Sequence, residues 1–390
     1  MKKIVFFSIP AHGHTNPTID LIRELVNRGN EVWYYSFNEY KEKIENAGAK
    51  FIGCDDFLIK LPPRYEKELG ENISTLFEMV LDLTIELDNK ICKELKEINP
   101  DCIVSDSMSI WGKLFANKLN IPHVCSTTTF AFNKHTIKMM KPSLNEIYNT
   151  VLRISSINEK IKILVKKGYD IDNFISLFLN DNDTDTIVYT SKEFHPMAET
   201  FSDKFYFIGP SIPTVNIETK DKKRKKVYIS LGTVFNNNIK FFKNCIKAFE
   251  NVDIDVVMSI GNNINIDDLG YIPSNFKVKN HVNQIEELQD TDVFLTHCGM
   301  NSTHESLYYN VPMVLFPQQS EQKMISKRIS TLGAGVILKR NHSNNIKNAV
   351  MDVINNNMYK LKASEISHTF KNSGGAKVAV DNILSVANRL

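Results

Sequence analysis

The segment THCGMNS at positions 296–302 concentrates residue types that can hold an anion. It follows the apolar run Asp292 to Thr296, which reads as a buried strand delivering His297 to its end, and it precedes a helix opened by Gly299, Asn301 and Ser302. The first amides of a helix have no intrahelical acceptors and lie at the positive end of its dipole. Gly299 lets the backbone come close to a bound group, while Asn301 and Ser302 add side-chain donors, so phosphate is the natural guest. An ordinary capped helix after a strand is the plainer reading of the same residues.

A second group lies in PAHGHTNP at positions 10–17, between a first strand and its helix. In a parallel sheet the C-terminal strand ends share one rim, where ligands bind, and Asp106 reaches that rim from a later strand. A histidine and a carboxylate on one edge suit general-base catalysis, the carboxylate fixing the imidazole tautomer and stabilising the imidazolium. In the competing reading His14 bonds its own turn and Asp106 caps a helix near Met108; position alone leaves both open. His12 and His14 could also chelate a metal, but no third ligand stands at a helpful spacing, so no metal is expected. Asp181 to Asp185 and Asp253-Ile254-Asp255 match the short Asp-x-Asp word of metal-dependent transferases, and each is equally explained as a polar loop or a strand start. The first also fails as a calcium loop, with Thr186 in place of glycine and Lys192 in place of glutamate.

The elements that must position these residues alternate. Ile4 to Ile9 reads as a strand; Asn16 is expected to cap a helix with Pro17 at its first position and Gly29 as its terminator. Strands at 31–37, 50–53, 101–105 and 121–127 follow, with helices between, and residues 134–180 read as helical. Ile208-Gly209-Pro210 and Pro213 close this half. The charged run 218–226 reads as a linker, after which strands near 226–231, 254–260, 276–282, 292–296, 312–317 and 335–339 repeat the βα pattern. The expected organisation is an α/β chain of two doubly wound, Rossmann-like domains facing across a cleft: 1–217, then the linker, then 227–375, with a final helix over 376–390 returning to the first domain.

At 390 residues, two such domains are what the length calls for. With 24% charged residues and a net charge of +2, the chain lacks the concentrated basic surface that nucleic acid needs. Six cysteines without a CxxC pair fit reduced thiols in the cytoplasm. The apolar start breaks at Pro10 and reads as a strand rather than a signal peptide, and no run is long enough for an integral membrane segment. Oligomeric state is not readable from the sequence.

Taken in order, GHTNP at 13–17, Asp106, FIGP at 207–210, SLGT at 230–233 and the block 282–322 resemble the family 1 UDP-glycosyltransferases of GT-B fold, in particular the bacterial macrolide and flavonoid enzymes. The resemblance spans nearly the whole chain. It implies His14, directly after glycine, as the base that deprotonates an acceptor hydroxyl, and Asp106 as its orienting partner. It further implies Ser230, Gly232 and Thr233 as the loop approaching the donor diphosphate, Gln284 and Ile285 as receiving uracil, and His297, Gly299, Asn301 and Ser302 as the diphosphate cradle. Glu305 would take the ribose, and Glu321 with Gln322 the sugar hydroxyls. The family has proline before the uracil-loop glutamine; here Asn283 stands in its place, and a less preorganised loop is expected.

The implied activity is inverting transfer of a sugar, with glucose expected, from a UDP-sugar co-substrate to a hydroxyl of a small lipophilic acceptor such as a macrolide, flavonoid or other phenolic, with no cofactor. The alternatives are a non-catalytic nucleotide-sugar-binding accessory protein and a GT-B UDP-sugar epimerase or hexosaminyltransferase.

Overall fold

The computed structural model describes residues 1–55, 73–139, 144–171, 177, 183–213, 223–232 and 236–389. They form two units, Met1–Ser211 with Ser373–Leu390, and Ile212–Asn372. Each unit is built on one parallel sheet. In the first, β1 (Lys3–Phe7), β2 (Glu31–Ser36), β3 (Lys50–Gly53), β4 (Cys102–Asp106), β5 (His123–Thr127), β6 (Thr186–Val188) and β7 (Phe205–Phe207) lie in the order β3-β2-β1-β4-β5-β6-β7. In the second, β8 (Lys225–Ser230), β9 (Ile254–Ser259), β10 (Phe276–Lys279), β11 (Val293–Thr296), β12 (Met313–Leu315) and β13 (Gly335–Ile337) lie in the order β10-β9-β8-β11-β12-β13. The central strands are covered on both faces, which is why they read as continuous apolar runs; β11 is buried throughout.

The strand order reverses between β1 and β4, and again between β8 and β11. At such a point the connections from neighbouring strands leave for opposite faces, opening a crevice at the C-terminal strand ends. The same device locks the register of both central pairs at the opposite end. The Asp101 amide donates to the Lys3 carbonyl at 2.9 Å, and its carboxylate accepts from the Lys3 amide at 2.8 Å and from Lys2 Nζ at 3.0 Å. The Asp292 amide donates to the Lys226 carbonyl at 2.9 Å, and its carboxylate accepts from the Lys226 amide at 2.9 Å and from Lys225 Nζ at 3.2 Å. Cross-strand aromatic pairs add to this: Phe6 stacks on its register partner Tyr34 at 5.5 Å, and Tyr228 on Phe294 at 4.8 Å.

Three local expectations change. The charged stretch does not run as linker to residue 226; Lys225 and Lys226 begin β8, because Asp292, Asp290 and Glu287 wait beside them. Asn16 is not the N-cap of the long helix, a place taken by Thr18. His12–Thr15 makes one α-helical turn, Asn16–Thr18 a 3-10 turn, and the long helix begins only at Ile19; Asn16 Oδ1 accepts instead from Lys43 Nζ at 2.8 Å. Within 134–180 the described helical segments are Thr136–Met139 and Leu144–Lys166. Arg153 and Lys160 of the longer helix pair with Glu78 and Asp82 of helix Ile73–Ile98. This turns charge inward and leaves Tyr148, Val151 and Leu152 each 62% exposed.

The C-terminal helix Gly375–Ala387 lies in the first unit, where Arg28 reaches Asp381 and Lys2 Nζ reaches the Ala387 carbonyl. No helix among the described residues is long and apolar enough to cross a membrane.

Removing the Asp101 carboxylate strands the Lys3 amide, which is expected to cost about 1–3 kcal/mol. Calorimetry of Asp101→Ala should show Tm lowered by roughly 2–10 °C at neutral pH. Burial opposes ionisation of Asp101, yet the Lys3 amide and the Lys2 ammonium hold its carboxyl below the usual range. Its contribution is therefore present above the unfolded-chain pKa and is lost as pH falls through the folded value, so the two melting curves should converge in acid. Equal Tm at neutral pH would remove the clamp from the account.

Candidate active site

Both groups of candidate residues sit at the C-terminal ends of the strands where the order reverses. In the first unit the helical turn after β1 carries His14, and Asp106 closes β4 beside it. His14 Nδ1 meets Asp106 Oδ2 at 2.7 Å, with Thr128 Oγ1 also 3.2 Å from that nitrogen. The Asp106 side chain is 1% exposed and that of His14 17%. Asp106 Oδ1 accepts from the Met108 amide at 2.8 Å, so the carboxylate both caps its turn and holds the imidazole. The helix expected to begin near Met108 starts instead at Ile110, with Ser109 as its N-cap, so the Asp106 carboxylate closes a turn rather than capping that helix. An Nδ1 proton directed at the carboxylate puts the basic lone pair on Nε2. His12 turns elsewhere: its Nε2 lies 2.9 Å from Glu39, its side chain is 55% exposed, and its ring packs edge-on to Tyr40. Among the described residues no three His, Cys, Asp or Glu side chains converge on one point.

In the second unit, Thr296 and Ser230 are register partners, so the loops carrying Ser230-Leu231-Gly232 and His297-Cys298-Gly299 leave the sheet side by side. Ser230 Oγ accepts from the Gly232 amide at 3.2 Å. The two glycines flank the His297 ring. A Cβ at Gly232 would lie 2.6 Å from its Cε1 and Nε2, and one at Gly299 would lie 2.6 Å from Nε2. The close approach expected of Gly299 is thus in the first place to histidine. Cys298 between them adopts a left-handed φ of 69°, rare for a side chain of this kind. Burial drives the His297 imidazole down to about 4, the Ser230 backbone pulling weakly the other way. The ring is neutral at pH 7, and its Nδ1 is buried with no hydrogen-bond partner.

Gly299 forms the N-cap of helix Met300–Tyr308 and, having no side chain, makes no side-chain capping hydrogen bond to the helix start. Gln284 joins this helix to the next loop. Its Nε2 donates to Ser302 Oγ at 3.0 Å and to Glu305 Oε2, and its Oε1 accepts from the buried Tyr228 hydroxyl at 3.2 Å. Burial pushes the Glu305 carboxyl up to about 7, against the Gln284 hydrogen bond. Ile285 is half-buried in the first turn of helix Gln284–Gln289. Asn283 stands at the N-cap of this helix. Its φ of −72° is close to that of proline, and its side chain caps the helix by accepting from the Glu286 amide.

Glu321 and Gln322 open helix Ser320–Thr331, where Glu321 is exposed and Gln322 only 6% exposed. Gln322 Oε1 accepts from the Gln318 and Gln319 amides at 2.8 and 3.2 Å, so the oxygen serves a capping box and its amide nitrogen is the group left for other work. Thr233 lies outside the described residues. Sequence reasoning missed Tyr228; a tyrosine in the apolar part of a strand, whose buried hydroxyl must find a partner, was the available signal.

Over its whole length the chain is 33% identical to the uncharacterized UDP-glucosyltransferase YojK of Bacillus subtilis, of which it spans 98%. The chain belongs to the family 1 UDP-glycosyltransferases. The NDP-glycosyltransferase YjiC of Bacillus licheniformis is 32% identical to this glycosyltransferase, over 98% of this chain and 97% of its own length. Residues 243–376 match the family described as erythromycin biosynthesis protein CIII-like, C-terminal domain. The calicheamicin glycosyltransferase CalG4 shares the fold, with a TM-score of 0.82 at 24% identity over 100% of this chain and 99% of CalG4. The glycosyltransferase fold is GT-B, two parallel α/β sheets of seven and six strands.

A neutral His297 held between two glycines makes a direct spectroscopic prediction. Its ring C–H resonances should titrate with a midpoint near pH 4, and Gly232→Ala should move that midpoint toward about 6.5, the ordinary histidine value. A wild-type midpoint already near the ordinary value would contradict the enclosed ring.

Proposed function

We propose that this glycosyltransferase moves a hexosyl group, glucose in the first instance, from a UDP-sugar to a hydroxyl of a small lipophilic acceptor, with inversion and without a metal. The observation that carries the reading is the His14–Asp106 pair at 2.7 Å on the reversal point of the first sheet. In the reaction His14 Nε2 takes the acceptor proton as the acceptor oxygen bonds to the anomeric carbon. The bond from that carbon to the diphosphate oxygen breaks, its electron pair leaving with UDP. Asp106, anchored by the Met108 amide, stabilises the imidazolium that forms.

The leaving diphosphate gains negative charge, and the N-terminus of helix Met300–Tyr308, the positive end of its dipole, together with the neutral His297 forms a fixed environment suited to receive it. An orphaned, buried imidazole nitrogen is a cost in the free protein that a phosphate oxygen would relieve. Gln284 and Ile285 are assigned to uracil, Glu305 to the ribose hydroxyls, and exposed Glu321 with the Gln322 amide nitrogen to the sugar. The relationship to YojK, an uncharacterized UDP-glucosyltransferase, supports a UDP-sugar as donor. The demethyllactenocin mycarosyltransferase of Streptomyces fradiae, 26% identical over 98% of this chain and 86% of its own, supports a lipophilic acceptor. The outward apolar side of helix Leu144–Lys166 in the first unit suits such acceptors. Phe130, by contrast, is packed against Phe194 and His195 and belongs to the core. A retained base with its oriented partner favours a transferase over a silent nucleotide-sugar-binding role.

With UDP-glucose and phenolic acceptors in the presence of chelator, His14→Ala should lower turnover by ~10²–10⁴-fold while UDP affinity by calorimetry stays near wild type. Undiminished transfer in that variant would sink the base assignment, and loss of wild-type activity on chelation would restore a metal.

The pKa of Glu305 makes nucleoside binding pH-dependent. With its carboxyl up at about 7, the ionised form that accepts two ribose hydroxyls grows between pH 6 and pH 8. Affinity for uridine, which carries no titrating phosphate, should rise roughly five- to tenfold across that range, and Glu305→Gln should flatten the profile. A flat wild-type profile would remove Glu305 from the ribose.

A further inference from the structure

Asn236 is 2% exposed, an amide enclosed where side chains are rarely polar without a task. Its Nδ2 donates to the Gly232 carbonyl at 3.0 Å, and its Oδ1 accepts from Asn263 Nδ2 at 3.2 Å. Asn263 stands in the loop after β9, and that loop is held in turn from β10. Asn280 Nδ2 donates to the carbonyls of Gly261 at 2.8 Å and Ile264 at 3.2 Å, while the Gly261 amide donates to the Asn280 carbonyl at 2.9 Å. Space for Asn236 is made by Gly261, where a Cβ would lie 2.0 Å from Asn236 Nδ2. The Asn236 carbonyl accepts from the Asn238 amide at 2.7 Å, and Asn238 caps helix Ile239–Phe249. Asn236 is therefore fixed on every side before it touches Gly232, and Gly232 is the residue against which the His297 ring rests.

We infer that Asn236, backed by Asn263 and Asn280, is a positioning residue for the nucleotide-sugar diphosphate: it pins the Gly232 carbonyl and so sets the place of the His297 ring. The relay crosses the loops of β10, β9 and β8 in their spatial order and ends on the loop of β11. It rests on the reading of His297 as part of the donor cradle. None of the three asparagines needs to touch the ligand. Their amides suit the task because a side-chain amide donates and accepts at once, so one residue passes a fixed geometry from one loop to the next. Asp at position 236 keeps the size but sets a carboxylate oxygen against the Gly232 carbonyl, turning an attraction into a repulsion.

The test compares wild type, Asn236→Asp and Asn263→Ala by UDP calorimetry, steady-state kinetics with varied UDP-glucose, and NMR titration of the His297 ring. Loss of one buried hydrogen bond and repulsion in its place should raise the UDP Kd and the donor KM of Asn236→Asp on the order of tenfold, with kcat at saturating donor lowered as well, because a displaced His297 ring no longer meets the leaving diphosphate. The His297 midpoint should move upward in both variants, less in Asn263→Ala. A general loss of stability would lower kcat and the active fraction without moving that midpoint. Unchanged donor affinity with an unchanged His297 midpoint would overturn the inference. Absence of UDP binding by the wild type would overturn the donor-cradle reading instead, and the His297 midpoint would still decide whether Asn236 holds the ring.

Discussion

The register between the two middle strands of each sheet is the constraint on which both sites depend. A carboxylate just before β4, Asp101, and one just before β11, Asp292, each close a two-way backbone and side-chain exchange with the first residues of the neighbouring strand. A slip of one residue would turn every side chain of the strand to the other face. In the first sheet such a slip would carry Asp106 away from His14, and in the second it would part the Ser230 and His297 loops. The clamps stand at one end of the strands and the chemistry at the other, so sites need not provide their own scaffold. The crevices follow from chain topology, since both reversals of strand order fall between clamped strands.

The two sites solve opposite electrostatic problems on the same frame. His14 keeps a buried carboxylate at 2.7 Å, a negative partner held against its ring. His297 has no such partner, and desolvation between two glycines keeps it neutral. A buried strand tyrosine supports each site from below: the Tyr34 hydroxyl lies 3.0 Å from Thr18 Oγ1, just past the His14 turn, and the Tyr228 hydroxyl donates to Gln284. The aromatic rings that secure the sheets thereby also orient polar groups at its edge.

Much of this was legible in the residues, because a parallel sheet buried on both faces imprints continuous apolar runs, and the loops at their ends stand out by contrast. His297 at the end of β11, Gly299 at a helix start and Asp106 at the end of β4 are consequences of such runs. What was not legible depended on partners distant in sequence. Asn16 carries a helix-capping signal, but a helical turn at His12–Thr15 precedes it and Lys43 occupies its oxygen. The end of the charged stretch became strand because three acids more than sixty residues on neutralise it.

The most direct test of the account is a crystal structure of the protein with UDP bound. The diphosphate should lie within hydrogen-bond reach of His297 and the first amides of helix Met300–Tyr308, with the ribose diol on Glu305 and uracil against Gln284 and Ile285. UDP bound away from the loops of β8 and β11, with His297 Nδ1 still unpartnered, would contradict the claim that the reversal of strand order in the second sheet makes the donor site.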